Sequence, residues 1–208
     1  MRHITRLIGL ATLIVAAASC GTASRDSQSP VFLVINTLLA AQGNHAQTFV
    51  GSLTSDVLTL VTTPAPCSPA TPCPTVFNDV GQVVLSASLK NIGSAASPNS
   101  PTSNNGVTIT RYHVQYRRAD GRNTPGVDVP FGFDGAATGT ILPGAALALS
   151  FELVRVTAKQ EAPLVQLASN GVFITMIADV TFYGKDQVGN DVSVTGSVQI
   201  DFGNFGDT

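Results

Sequence analysis

The most regular hydrophobic pattern in the chain lies between Gly171 and Phe202. Apolar and polar residues alternate there in two runs, which predicts two half-buried β-strands. The apolar positions are Ile174, Met176, Ala178, Val180 and Phe182 in the first run, and Val192, Val194, Val198 and Ile200 in the second. Gly184 to Asn190 separates the runs and is rich in turn-forming residues. A strand pair of this kind exposes an apolar face, so we expect a second sheet to cover it.

Similar patterns predict strands earlier in the chain. We expect them at residues 31–35, around 57–61, from Val83 to Lys90, from Val107 to Arg118 and from Leu147 to about Val156. A helical continuation of the first strand through residues 38–41 is the open alternative. Between Ile109 and Tyr112 the alternation changes phase, which predicts a β-bulge near Thr110. The Gly- and Pro-rich segment Asn123–Gly135 is interpreted as either an edge strand or a loop.

Only one helix is predicted, from Pro163 to Asn170, because Pro suits a first helical position and Asn170-Gly171 suits the end of a helix. The elements then number seven or eight strands, with one short helix before the C-terminal hairpin. Charged residues make up 12% of the chain and Trp is absent, a composition that favours strands and turns over amphipathic helices. We predict an all-β fold, an immunoglobulin-like two-sheet antiparallel sandwich.

Residues 1–19 have the pattern of an export signal rather than of a folded element. Arg2 and Arg6 precede the apolar run Leu7–Ala18, whose 12 residues are too few for a membrane-spanning helix. The run ends in Ala17-Ala18-Ser19-Cys20, which resembles the lipobox of bacterial lipoproteins, with Ala17 where Leu is commoner. The resemblance implies cleavage before Cys20 and acylation of that cysteine. The alternative is an ordinary secretory signal that ends near a cysteine.

Three segments follow from this interpretation: a signal peptide at 1–19, a lipidated tether at 20–30 and one domain at 31–208. The ten residues of Gly21–Pro30 span at most ~35 Å, which keeps the domain close to the membrane. Gly21, rather than Asp, follows the cysteine, which favours the outer membrane. We therefore expect a lipid-anchored protein of the bacterial cell envelope.

The cysteine count fits an oxidising compartment. With Cys20 assigned to lipid, Cys67 and Cys73 are left, and we predict a disulfide between them. Free thiols are the alternative. A zinc site would need more ligands than two cysteines, and we expect neither a metal nor a cofactor.

Charge argues against nucleic-acid binding. Removing Arg2 and Arg6 from the 11 basic residues leaves 9 against 13 acidic ones, a net charge of −4. Such a balance offers no basic excess for phosphate contacts.

A basic cluster with neighbouring tyrosines is the one candidate ligand contact. It comprises Arg111, Tyr112, Tyr116, Arg117 and Arg118, with Arg122 close by. Arg111 and Arg117 have the parity that places them on one face of the strand. Two interpretations are open: a contact for an anionic glycan or lipid headgroup, and a solvated strand face.

No catalytic residues are predicted. His45 and His113 have no partner motif for a nucleophile, such as Gly-x-Ser-x-Gly or Ser-x-x-Lys. Asp186, Asn190 and Asp191 suit a structural turn, although a calcium site is an alternative.

Two short motifs resemble bacterial immunoglobulin-like domains. Asp186-Gln187-Val188-Gly189-Asn190 is similar to the Asp-x-x-Gly-Asn turn between their last two strands. Leu89-Lys90-Asn91-Ile92-Gly93 resembles a strand and turn of the cell-adhesion-related domains. More broadly, residues 110–135 and 178–207 resemble a set of uncharacterised bacterial lipoproteins. The resemblance implies the fold and an envelope location, and no functional residue.

The leading hypothesis is a non-enzymatic structural or protein-interaction module at the membrane surface. The alternative is a lipoprotein that binds glycan or peptidoglycan through the loops Asn91–Gly106 and Asn123–Gly135 at one end of the sandwich.

Overall fold

A computed structural model describes residues 28–45 and 48–206. These residues contain twelve strands and four short helices. The predicted signal peptide and Cys20 lie outside these residues. The strands are β1 Val31–Ala41, β2 Ser52–Asp56, β3 Thr59–Val61, β4 Cys73–Thr75, β5 Asp79–Leu89, β6 Gly93–Ser94, β7 Ser97–Pro98, β8 Val107–Arg117, β9 Phe133–Ile141, β10 Ala146–Val154, β11 Ile174–Asp186 and β12 Asp191–Gly203. The helices are the α-helix α1 Val156–Gln160 and 3-10 turns at Gly43–His45, Ser103–Asn105 and Leu164–Ser169.

Eight of these strands form two large sheets, which confirms the all-β prediction. One sheet has the order β1-β5-β10, and the other has the order β2-β12-β11-β8-β9. The short strands pair as β3-β4 and β6-β7. The sequence predicted antiparallel pairing throughout, but β2 runs parallel to β12, from Ser52 opposite Gln199 to Asp56 opposite Gly203.

The two large sheets pack against each other through their apolar faces. Phe151 of β10 meets Phe182 of β11 edge to face, with 5.3 Å between the ring centroids. The largest fully buried side chains come from both sheets: Tyr116, Phe182, Phe202, Leu53, Leu85, Ile109, Ile141, Leu153, Leu164, Met176, Ile200 and Val31. Burying this apolar surface supplies the main stabilising term of the fold.

Strand β1 extends further than its apolar run indicated. It pairs with β5 as far as Ala41, with an irregularity between Ile35 and Thr37. The helical alternative for residues 38–41 is therefore wrong, and pairing with β5 explains why. Ile35 packs closely over Gly196 of β12, where an added Cβ would lie 2.7 Å from its Cδ1 atom.

The predicted β-bulge at Thr110 is confirmed. The register of β8 shifts between Ile109 and Arg111 against both of its neighbours, β9 and β11. The extra residue lets Ile109 and Tyr112 both point into the core. The phase change in the sequence therefore has a direct structural cause.

Strand β9 forms the edge of the five-stranded sheet. The sequence predicted an edge strand or a loop at residues 123–135, and this range overlaps β9 only at its last three residues. Its buried apolar residues, Phe133, Ala137 and Ile141, are four residues apart, so no alternation is visible. Gly135 leaves room for the ring of Tyr112, whose Cζ atom would lie 2.1 Å from an added Cβ. An aromatic ring on the neighbouring strand thus covers a glycine of the edge strand.

Two short helical segments, rather than one, precede the β11–β12 hairpin. Strand β10 ends at Val154, and α1 follows at once, where the sequence predicted strand to about Val156. The predicted helix at 163–170 is present as a 3-10 turn, Leu164–Ser169, with Leu164 and Leu167 buried.

The large sheets have two ends with different connections. At the first end Pro30 accepts a hydrogen bond from Lys90 N, and segments 90–106, 142–145 and 187–190 connect the strands. At the other end the connections are residues 57–78, 118–132 and 155–173, with Lys159 among them. We call these the Pro30 end and the Lys159 end.

Candidate functional site

The outer face of the five-stranded sheet carries the predicted arginines. Arg111 and Arg117 of β8 both point to solvent, as their shared parity predicted. His113 and Gln115 lie between them on the same face. This face, which we call the arginine face, is the part of the predicted ligand contact that the fold leaves accessible.

The two tyrosines of the predicted contact lie on the opposite side of β8. Tyr112 and Tyr116 are buried in the core, so they share no surface with the arginines. The Tyr116 hydroxyl donates to Leu153 O at 2.6 Å, and the Tyr112 hydroxyl accepts from Glu152 N at 3.2 Å. Both phenols therefore link the two large sheets, and burial raises the pKa of each.

Acidic side chains of neighbouring strands pair with the arginine face. Arg111 lies 2.9 Å from Asp134 of β9, and Arg117 lies 2.6 Å from Asp179 of β11. Partial burial acts to raise the pKa of Asp179, but the hydrogen bonds from Arg117 and Ser197 hold it below its ordinary value. Exposed pairs of this kind contribute about 0–1 kcal/mol each to stability. They leave the face close to neutral rather than basic.

The remaining arginines of the cluster belong to a loop at the Lys159 end. Arg118 and Arg122 both contact Asp120 Oδ2 at 2.7 Å. Hydrogen bonds from these two guanidinium groups lower the pKa of Asp120. Arg118 therefore stabilises its own loop and does not extend the arginine face.

A shallow concavity of about 310 Å³ adjoins the β-bulge. The Arg111 guanidinium stacks on the Tyr183 ring there, 3.7 Å from its centroid. The lining residues are Thr110, Arg111, Tyr183, Gly184, Lys185, Asp191, Val192 and Ser193. Tyr183 is thus the accessible aromatic neighbour of an arginine. It could have been identified from the sequence, because it is next to the core residue Phe182 on β11 and so points to the opposite face of the sheet.

The histidines show no catalytic arrangement within the described residues. His113 Nδ1 lies 3.3 Å from Asp134, on the arginine face. The side chain of His45 is outside the description. Among residues 28–45 and 48–206, no three His, Cys, Asp or Glu side chains meet in a metal-binding group.

The turn between β11 and β12 is closed by Asp186. Its Oδ1 accepts from Val188 N at 3.1 Å and from Asn190 N at 2.8 Å. Burial acts to raise the pKa of Asp186, but hydrogen bonds from Asn190, Ser29 and Val188 hold it below its ordinary value. Asp191 pairs with Lys185 instead. These contacts account for the Asp and Asn residues as parts of a turn.

A buried ion pair that the sequence did not indicate lies at the Lys159 end. Lys159 Nζ is 2.9 Å from Asp79 Oδ1 and donates to Asp56 O at 2.8 Å. Asp79 also accepts from Ser55 Oγ at 2.6 Å and from Gly43 N at 3.2 Å. Burial raises the pKa of Asp79, an effect that these donors oppose. The group ties α1 to β2 and β5, so its geometry is that of a structural clamp.

The predicted disulfide joins Cys67 and Cys73, whose Cα atoms are 5.4 Å apart. It closes a proline-rich loop between β3 and β4, at the Lys159 end. The loop is exposed, so the bond constrains the connection rather than the core.

The two loops of the glycan-binding hypothesis lie at opposite ends of the sheet. Residues 91–106 precede Val107 at the start of β8, whereas residues 118–132 follow Arg117 at its end. Eleven residues of extended strand separate them, about 35 Å. The expectation that both loops form one binding site is therefore wrong.

Comparisons with protein-family models, with curated proteins and with solved structures found no match to this chain. Among the described residues, no helix has the length and apolar character needed to cross a membrane.

Proposed function

We propose that this chain is a lipid-anchored protein of the bacterial cell envelope, most consistent with the outer membrane. Its domain is an immunoglobulin-like sandwich that acts as a non-enzymatic structural or protein-interaction module. The observation that carries the proposal is the burial of Ser29, which is close in sequence to Cys20. Ser29 is already buried, nine residues after Cys20, so only a short polar segment separates the proposed lipid from the domain.

Residues 29–31 are fixed to the Pro30 end by several contacts. Val31 N donates to Ser29 Oγ at 3.4 Å, and Lys90 N donates to Pro30 O at 2.9 Å. Ser29 also forms a hydrogen bond with Asp186 in the β11–β12 turn. A domain held in this way presents its Pro30 end to whatever surface anchors Cys20.

The immunoglobulin-like assignment rests on two features. Two mainly antiparallel sheets enclose one core, and the Asp186–Asn190 turn connects the two longest strands. The parallel β2–β12 pair and the two-residue strands β6 and β7 are additions to that plan.

The arginine face is the surface proposed for a protein partner. It lies on β8, next to the edge strand β9, and its charges alternate in sign between neighbouring strands. Alternating charges favour a partner with complementary pairs over a uniformly anionic polymer.

The anchoring half of the proposal is tested by the mass of the mature protein purified from envelopes. We expect an N-terminal acylated Cys20 and recovery with outer-membrane vesicles in a density gradient. In the control Cys20→Ser, the acyl mass and the membrane recovery should both be lost. A mature chain that begins elsewhere and carries no acyl group would contradict the proposal.

The interaction half is tested by crosslinking and affinity capture from intact envelopes. Wild type is compared with the double variant Arg111→Glu/Arg117→Glu, which reverses the charge of the arginine face. We expect one protein partner to be retained by the wild type and lost from the variant. Retention of cell-wall glycan instead of protein would favour the glycan-binding alternative.

A further inference from the structure

Three apolar side chains protrude from three different connections at the Pro30 end. Ile92 is 73% exposed, Leu142 60% and Val188 75%. We call these residues the apolar tips. Large apolar side chains that are this exposed do not gain the free energy of burial unless another surface covers them.

The apolar tips belong to loops that converge. Ile141, just before Leu142, pairs with Val107, and Asp186, two residues before Val188, pairs with the same residue from the other side. Gln187 Nε2 donates to Gly106 O at 3.5 Å, which joins the β11–β12 turn to the end of the 90–106 segment.

The third loop is tied to the point where the described chain begins. Asn99 N donates to Ile92 O at 3.0 Å, and Lys90 N donates to Pro30 O. Ser29, Pro30, Asn91, Asn99 and Asn105 line one shared concavity. The 90–106 and 187–190 loops therefore lie beside Ser29 and Pro30, and the 142–145 loop is joined to them through the pairing of Ile141 with Val107.

Lys90 is the one charged residue within these connections. Residues 91–106, 142–145 and 187–190 contain no Asp, Glu, Lys or Arg. At the Lys159 end, the exposed apolar residues Val127 and Phe131 share a loop with four charged residues, whereas Val172 and Phe173 lie in an uncharged stretch. A surface with apolar protrusions and a single lysine can enter the interfacial layer of a bilayer, because the lysine ammonium group can stay among the lipid headgroups.

We propose that the apolar tips insert into the interfacial region of the membrane that holds the lipid anchor. The inference rests on the proposed function, because the anchor brings this end to the lipid surface. The tether of Gly21–Pro30 limits the separation to ~35 Å. Insertion of the tips sets the domain upright, with the Lys159 end farthest from the bilayer.

The test uses the full mature protein in vesicles of phosphatidylethanolamine and phosphatidylglycerol. An environment-sensitive fluorophore is attached to single cysteines in Ile92→Cys, Leu142→Cys and Val188→Cys. Acylation blocks Cys20 and the disulfide blocks Cys67 and Cys73, so the introduced cysteine carries the label. Val127→Cys and Phe131→Cys are matched controls, since both residues are apolar, exposed and at the opposite end.

We expect labels on the tips to emit at shorter wavelength and to be quenched by nitroxide lipids, and the control labels to behave as in water. Insertion of about twenty Gly and Ser residues between Ser27 and Gln28 removes enforced proximity. The shift in emission wavelength should persist after this insertion. When a label is on one tip and the other two tips are replaced by Ser, the shift should disappear.

Each failure has a distinct meaning. If the protein is acylated but the labels on its tips emit as in water, the inference is wrong and the proposed function is unaffected. A shift that the longer tether abolishes also overturns it, because proximity alone then explains the contact. A shift seen in native envelopes and not in lipid vesicles assigns the tips to a protein partner instead. If the protein lacks acyl chains, the proposed function is wrong, and so is the inference that rests on it.

Discussion

At the Lys159 end, charged side chains are engaged in internal contacts, whereas Lys90 is the one charged residue in the three connections at the Pro30 end. Lys159 and Asp79 form a buried pair, and Asp120 holds two arginines within one loop. At the Pro30 end, one turn is closed by Asp186 and the apolar tips are exposed. The difference separates an end whose charged side chains are cross-linked for stability from an end whose connections carry almost no charge.

The largest effect is expected at the buried pair. Lys159→Met should lower the free energy of unfolding by about 3–5 kcal/mol, because it leaves the Asp79 carboxyl group buried without its charge partner. Urea denaturation of the purified domain measures the change. Lys185→Met is the matched control at the Pro30 end, where the exposed pair with Asp191 should contribute less than about 1 kcal/mol. Equal losses in the two variants would remove the distinction between the ends.

The disulfide comes next. Cys67→Ser/Cys73→Ser should cost about 2 kcal/mol, because a short loop regains conformational freedom in the unfolded state. Thermal unfolding with and without reductant measures it: reductant should lower the Tm of the wild type to that of the double variant. A variant as stable as the oxidised wild type would show that the prolines alone restrain the loop.

Asp186 gives a smaller, pH-dependent effect at the Pro30 end. Asp186→Asn should cost about 1–2 kcal/mol near pH 7, since the hydrogen bonds favour the carboxylate. The folded-state pKa of Asp186 lies below its ordinary value of 3.8, so this stabilisation is present above that value and is lost as the pH falls through the folded-state pKa. Denaturation of both proteins from pH 7 to pH 2 should show the difference shrinking below about pH 4. A difference that stays constant would assign the loss to packing instead.

The smallest effect is expected at the apolar tips. Ile92→Ser/Leu142→Ser/Val188→Ser should change the free energy of unfolding in solution by no more than about 0.5 kcal/mol per site, because the side chains are exposed. Denaturation midpoints measure this change. A larger loss would mean that the tips pack against the fold, which would make them unavailable to a membrane.

Much of the fold could be predicted where one strand carries its own alternation. The hairpin β11–β12 and strand β5 are of this kind, and the bulge at Thr110 followed from a change of phase. Strand β9 could not be predicted this way, because Gly135 and Gly139 carry no side chain to show a pattern. The ring that covers Gly135 belongs to Tyr112, on another strand.

The candidate site shows the same division. Strand parity placed Arg111 and Arg117 correctly on the exposed face. Tyr112 and Tyr116 share the register of Val114, so the same rule places them in the core. Lys159 carries no local signal. Its partners Asp79 and Asp56 lie 80 and 103 residues earlier, so the pair exists only through tertiary structure.

The position of β12 within its sheet has a consequence for how the chain is made. This strand lies between β11 and β2, although it is the last of the described strands in chain order. The strand pairing of β2 with β12, and the contact of Ile35 of β1 with Gly196, form only once residues 191–203 have been synthesised. The five-stranded sheet and its contact with β1 are therefore completed only after the last of the described strands has been synthesised.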